Sequence, residues 1–205
     1  MLTDLKVTDF LDILASATAV PGGGSIAALS GAAAASLSQM AAGLTYKKKG
    51  YEACETQMQT VISKTSDIKK KIVENINLDA LAYEDVMKAY KMSDKSDNEK
   101  IKRKNAIQNA LEKAASVPMK VAEDSFDILK LTETIVKKCN KNVIPDVAVA
   151  CIMARSAVLA ALINVGANLE LINDKKFIND MNIRVNKIEN RARSIEEKIL
   201  VLLKK

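Results

Sequence analysis

The sequence predicts an all-α protein, an antiparallel up-and-down bundle of long helices, on three observations. Apolar residues recur at alternating steps of three and four along most of the chain, the spacing of one helix face. No segment shows the strict apolar–polar alternation of a half-buried strand. Seven Gly and three Pro among 205 residues are too few for the many turns of a β-sandwich or barrel. With 48% apolar and 27% charged residues, the chain has the composition of a folded globular protein. The length suits a single domain spanning residues 1–205.

The elements follow in order. Thr8 is placed to cap a short first helix carrying Phe10, Leu11 and Leu14. Pro21-Gly22-Gly23-Gly24 breaks the chain, and Ser25 is placed to cap a second helix to about Thr45. That helix is built of Ala, Ser and Gly, so neighbouring backbones can approach it closely and it belongs at the centre. Lys47-Lys48-Lys49-Gly50 forms a basic turn. From Tyr51, the positions Cys54, Met58, Val61, Thr65, Ile68, Ile72 and Ile76 mark one face of a long helix continuing through Tyr90. Ser93 to Asp97 is a polar loop, with Ser96 or Asp97 starting the next helix. Pro118 is expected to interrupt or restart that helix. A helix ends near Lys138, Pro145 opens an apolar helix to Ile172, and the last helix carries a near-heptad seam from Phe177 to Leu202. That seam can pack within the bundle or against a second subunit.

Charge and cysteines narrow the setting. Three cysteines, Cys54, Cys139 and Cys151, form no CxxC pair, which reads as free thiols in a reducing cytoplasm. The N-terminus has no basic region followed by an apolar stretch, so no signal peptide is expected. Ile26 to Leu44 is long enough to span a bilayer but consists of poor membrane material. A cytoplasmic protein without a membrane partner is the expectation. The net charge of +6 comes from lysines interleaved with acids along every segment. Without aromatic interleaving, this is no platform for nucleic acid.

The chain contains no His, which removes imidazole bases, Ser–His triads and His-ligated metals. No metal site is expected, so chemistry falls to Asp, Glu, Lys, Tyr, Cys or the backbone. Pro21-Gly22-Gly23-Gly24-Ser25 before a helix either lets converging amides hold an anion or is a flexible connector with a serine cap. Lys47-Lys48-Lys49 at the other end of the helix either complements its dipole or docks a multiply anionic ligand. Asp79 and Tyr83, four residues apart, share a face and form either an acid–base pair or a solvated surface. Asp146, Asn164 and Asn168 align on one helix face, although Asp146 and Asn164 are separated by about 27 Å of helix rise. The two Asn residues are binding groups or interhelical glue. Arg155, on the opposite face among apolar residues, needs a carboxylate partner or solvent.

Taken together, these runs resemble the formimidoyltetrahydrofolate cyclodeaminase / methenyltetrahydrofolate cyclohydrolase family. The matching residues are Val20-Pro21-Gly22-Gly23-Gly24-Ser25 with Ala27-Ala28-Leu29, Met40, Leu44-Thr45, Lys48-Lys49 with Tyr51, and Asp79-Ala80 with Tyr83. Further on stand Val117-Pro118, Asn140-Lys141-Asn142, Asp146-Val147 with Ala150, and Asn164-Val165 with Asn168-Leu169. The chain departs from the family pattern at Lys47, Cys139 and Pro145.

The resemblance implies a helical homodimer with a folate cleft near the subunit interface, no prosthetic group, and a tetrahydrofolate derivative as substrate. It implies either hydrolysis of 5,10-methenyltetrahydrofolate to 10-formyltetrahydrofolate or cyclisation of 5-formimidoyltetrahydrofolate with release of ammonia. A stand-alone cyclohydrolase is the first expectation, since the formimidoyltransferase domain fused in bifunctional relatives is not found on this chain. Asp79 or Asp146 would then face the methenyl cation and accept a proton, with Tyr83 or Lys48 moving it. Pro21, Gly22, Gly23, Gly24, Ser25 and Lys49 would hold glutamyl carboxylates. Asn164 and Asn168 would read the pterin edge, with Asn140 and Asn142 as further binding groups. A non-catalytic helical interaction protein is the remaining alternative.

Overall fold

The computed structural model describes residues 1–203. Among them there are helices and turns and no strand, in the order α1 (Val7–Ala15), α2 (Gly23–Gly43), α3 (Glu55–Tyr90), α4 (Asp97–Val136), α5 (Ile144–Leu169) and α6 (Lys175–Leu203). Short 3-10 turns precede α1, α3 and α5. The long helices α3 and α4, with 36 and 40 residues, reach roughly 54 and 60 Å at 1.5 Å per residue. They flank α2 and α5, and α6 closes the far side against α4 and α5.

The small-residue helix α2 is central, as its composition predicts, in contact with α3, α4 and α5. Its buried face is Ala27, Ala28, Ala34, Ala35, Ala41 and Ala42. At Gly31 a Cβ would lie 2.6 Å from Ser125 Oγ of α4, so the crossing of α2 and α4 requires glycine. Ser38 and Thr132 share a buried hydroxyl contact of 3.0 Å across the same interface. Both α2 and the segment Lys141–Leu169 are long and apolar enough to cross a membrane, and each is half buried inside the bundle.

Several local expectations are corrected. Thr8 does not cap α1; Lys6 holds that position without a side-chain cap. Ser25 does not cap α2, which starts behind Gly22. Of the two expected starts for α4, Ser96 is the cap, with a full box to Glu99. Pro118 neither interrupts nor restarts α4, which runs through it. Proline in a helix deprives the carbonyl four residues earlier of its donor. Here that carbonyl, Ala114 O, receives Asn168 Nδ2 at 3.3 Å, so α5 satisfies the group that the proline leaves open.

The seam on α6 lies within the bundle: Met181, Ile188, Ala192, Ile195 and Ile199 are buried, while Leu202 is exposed. Arg155, 5% exposed, finds its carboxylate on α6 in Glu196, 3.5 Å away. The three cysteines are free and buried.

Candidate active site

A cleft of about 460 Å³ opens where the N-terminus of α2 meets the later turns of α3 and the end of α5. Gly22, Gly23 and Gly24 form one wall, Asp79, Tyr83, Met87 and Tyr90 of α3 a second, and Asn164, Ala167 and Asn168 of α5 a third. Leu111 and Ala114 of α4 line it as well. Asp79 is the one charged side chain among these residues. A cleft of similar size between α4 and α6 is lined by acids and cations of both signs. There Arg184 pairs with Glu123 at 2.7 Å, and Lys130 and Arg191 sit over the Phe126 ring. Lys130 also pairs with Asp127, burial raises the Asp124 carboxyl, and this cleft lacks the glycine wall.

The glycines admit the carboxylate. A Cβ on Gly24 would collide with the Asp79 carboxyl group, so only glycine lets Asp79 reach the first turn of α2. That turn presents backbone amides without intrahelical acceptors and the positive end of the helix dipole. Ser25 Oγ, fully buried, lies 3.0 Å from Asp79 Oδ2 and 3.1 Å from Ile76 O. Burial pushes the Asp79 carboxyl above the usual carboxylate range, while hydrogen bonds from the Ser25 hydroxyl and amide oppose that rise without cancelling it. A carboxylate tuned upward beside an open cleft is suited to taking up a proton. Asp79 and Tyr83 both line the cleft; the hydrogen-bond partner of Asp79 is Ser25.

Asn164 faces Gly23, whose Cβ would stand 3.1 Å from Asn164 Nδ2. Its amide donates to Ala160 O at 2.8 Å, which leaves Oδ1 turned as an acceptor. Asn168 Nδ2 is held by Asn164 O at 2.9 Å and by Ala114 O. Pro118 therefore contributes to the site at a distance, by freeing the carbonyl that orients Asn168.

The remaining candidates lie elsewhere. Ser25 and Pro21 are buried and do not line the cleft; Ser25 reaches it only through Asp79. Lys48, Lys49, Asn140, Asn142 and Asp146 gather at the opposite end of α2, roughly 30 Å away by helix rise. Lys48 and Lys49 are exposed in the turn after α2, where Lys47 (φ 56°) and Gly50 (φ 89°) take left-handed backbone. Asn140 is buried, its amide N–H donating to Thr45 Oγ1 at 3.0 Å and its Oδ1 accepting from Asn142 N at 3.1 Å. Lys141 N donates to Tyr51 Oη at 3.2 Å. Asn142 is exposed and Asp146 half-buried. Within one chain the two groups do not meet.

Met87 and Tyr90 escaped the sequence reading. Their signal was present: Asp79, Tyr83, Met87 and Tyr90 recur by four, four and three, a second stripe on α3 beside the core stripe. Leu111 and Ala114 carried no signal, because their place in the cleft depends on how α4 crosses α5.

Comparison with known proteins finds relatives of the whole chain. The model of the formiminotransferase-cyclodeaminase family matches residues 6–187. A methenyltetrahydrofolate cyclohydrolase of Methylorubrum extorquens is 33% identical over 97% of this chain and 95% of its own length. The formimidoyltransferase-cyclodeaminase of Gallus gallus is 28% identical over 96% of this chain, which spans 36% of that protein. The crystal structure of a formiminotetrahydrofolate cyclodeaminase from Thermotoga maritima superposes with a TM-score of 0.90 and 31% identity, covering 100% of this chain and 98% of that one.

Proposed function

This chain belongs to the formiminotransferase-cyclodeaminase family, and we propose that it is a methenyltetrahydrofolate cyclohydrolase. The observation that carries this reading is the single carboxylate of the cleft. The methenyl bridge is a delocalised cation, already electrophilic at carbon, so its hydrolysis needs an oriented water and a base more than a metal. Asp79 supplies both a countercharge for that cation and an acceptor for the proton of the attacking water. Water adds to the bridge carbon as Asp79 takes one of its protons. The bond from that carbon to N5 breaks as Asp79 passes this proton to N5, and the remaining hydroxyl proton leaves to solvent as the formyl C=O forms. The formyl group is left on N10. The acceptor Oδ1 of Asn164 and the amide of Asn168 suit the donor–acceptor edge of a pterin. Tyr83, Met87 and Tyr90 suit the flat p-aminobenzoyl ring.

The likeness to the Methylorubrum extorquens cyclohydrolase over nearly the whole length of both chains supports hydrolysis, and the whole-length likeness to the Thermotoga maritima cyclodeaminase makes deamination the second reading. The test is direct. Purified protein is added to 5,10-methenyltetrahydrofolate and the loss of its chromophore is followed; no acceleration over buffer overturns the assignment. Cyclodeaminase activity would instead show as ammonia release and a gain of that chromophore from 5-formimidoyltetrahydrofolate.

The proposed active form is a cytoplasmic homodimer. Val149, Ile152, Leu159 and Ile163 make an exposed stripe along α5, with Leu29 and Met40 exposed on the neighbouring α2. A stripe at this spacing suits a helix face of a second copy. Antiparallel pairing there would carry Lys48, Lys49, Asn142 and Asp146 of one copy toward the cleft of the other, beside the anionic glutamyl tail.

A further inference from the structure

Ser25 has no exposed surface and stands behind the cleft, so it cannot touch a substrate. Its hydroxyl nevertheless lies within hydrogen-bond distance of two oxygens, Ile76 O at 3.1 Å and Asp79 Oδ2 at 3.0 Å. Both are acceptors when Asp79 is ionised, and a hydroxyl has one proton to offer. Only one can be served at a time. We propose that Ser25 is a positioning residue whose hydroxyl proton swings between Ile76 O and Asp79 Oδ2, giving the carboxyl group a partner in both of its protonation states.

With Asp79 ionised, Ser25 donates to Oδ2, and Ile76 O keeps its place in the α3 ladder. When Oδ2 gains a proton, its new O–H donates to Ser25 Oγ, and the Ser25 proton turns to the second lone pair of Ile76 O. Asp79 gains one proton from the attacking water and returns one to the leaving nitrogen. No bond within Ser25 breaks. The buried side of the carboxyl group thus stays paired through the cycle, where an unpaired buried oxygen would cost about 1–3 kcal/mol in one of the two states. The Ser25 amide also donates to the carboxyl, but an N–H cannot accept from a protonated Oδ2, and no other group around the cleft substitutes for the hydroxyl. The glycines of α2, Leu111 and Ala114 of α4, and Asn164 and Asn168 of α5 are not titratable, and the other titratable side chains lining it are Tyr83 and Tyr90 of α3.

The inference rests on Asp79 as the proton acceptor, and its test reads the free protein first. Carboxyl-labelled aspartate is titrated by carbon NMR, with the Asp79 signal identified by its loss in Asp79→Asn. In Ser25→Ala the Asp79 midpoint is expected to rise by about one pH unit, because a donor to the charged form is the stronger of the two bonds. In the unsubstituted protein, the Ile76 carbonyl carbon is expected to shift with the same midpoint as Asp79. A midpoint unchanged in folded Ser25→Ala, or a flat Ile76 curve, overturns the proposal. With substrate, Ser25→Ala is expected to lower kcat about tenfold, to leave KM unchanged, and to move the acidic limb of the rate profile upward with the NMR midpoint. Titrations as expected in a protein that does not hydrolyse methenyltetrahydrofolate would keep the serine relay and remove the hydrolase reading.

Discussion

The two ends of α2 carry similar residue types and do different things with them. At the N-terminal end, glycines bring backbone close to a carboxylate, and burial raises that carboxyl above its ordinary range. At the C-terminal end, Thr45, Asn140 and Tyr51 meet backbone amides of the α4–α5 connection, and the lysines stand in solvent. The first end sets a half-buried carboxylate beside an open cleft. The second ties a loop and displays cations. Asp79 and Asp146 show the contrast: Asp79 lines a cleft, and burial raises its carboxyl, whereas Asp146 stands half-buried at the far end, away from that cleft.

Substitutions at the two ends sharpen that division. Asp79→Asn is expected to have the largest effect, lowering kcat about 10²- to 10⁴-fold in the methenyl chromophore assay. The same change should raise the melting temperature at neutral pH. A carboxyl whose pKa is higher folded than unfolded weakens the fold as pH rises through that interval, and Asn removes the charge. For the parent enzyme, kcat/KM is expected to fall as pH drops through a midpoint above the usual carboxylate range, since activity needs the ionised form. An acidic limb identical in Asp79→Asn would assign the base elsewhere. Gly24→Ala comes next, with kcat down about 10²-fold, because its methyl group displaces Asp79 from the α2 amides; circular dichroism should show the helices intact.

Pro118→Ala is expected to act in two directions. The restored amide would compete with Asn168 for Ala114 O, adding about 1 kcal/mol to stability, a rise of about 2–4 °C at this chain length. Asn168 would lose an anchor, and KM would rise about threefold; a KM that stays put would make the proline purely structural. The smallest effect belongs to the far end. Lys48→Ala with Lys49→Ala should leave kcat unchanged and raise KM modestly, more for substrates with longer glutamyl tails. Ile163→Glu, placed on the exposed stripe, should yield monomers in sedimentation and reproduce that rise. A collapse of kcat in the double lysine variant would bring both ends into one catalytic unit.

Much of the fold was legible because helical period, glycine breaks and capping residues act locally. The long α3, the capping box at Ser96 and the central place of α2 all follow from nearest-neighbour chemistry. Pro118 was misread for a tertiary reason: the sequence shows the missing donor but not the Asn168 amide, 50 positions later, that replaces it. Ser25 was misread similarly. Its type and position suited a cap, whereas its hydroxyl is taken by α3, across the bundle. The site was legible in part, since Gly22 to Gly24, Asp79, Tyr83, Asn164 and Asn168 do share one cleft.

What the sequence alone determined is the inventory. A chain without histidine, with one glycine run before a helix, leaves its chemistry to Asp, Glu, Tyr, Lys, Cys, Asn and the backbone. The tertiary structure decided which of those residues act together. Helix rise separates Asp146 from Asn164 along α5, while helix crossing brings Asp79, 54 residues from Ser25 in the chain, within 3.0 Å of it. Burial, which belongs to the packed bundle and to no single segment, then sets the affinity of Asp79 for its proton.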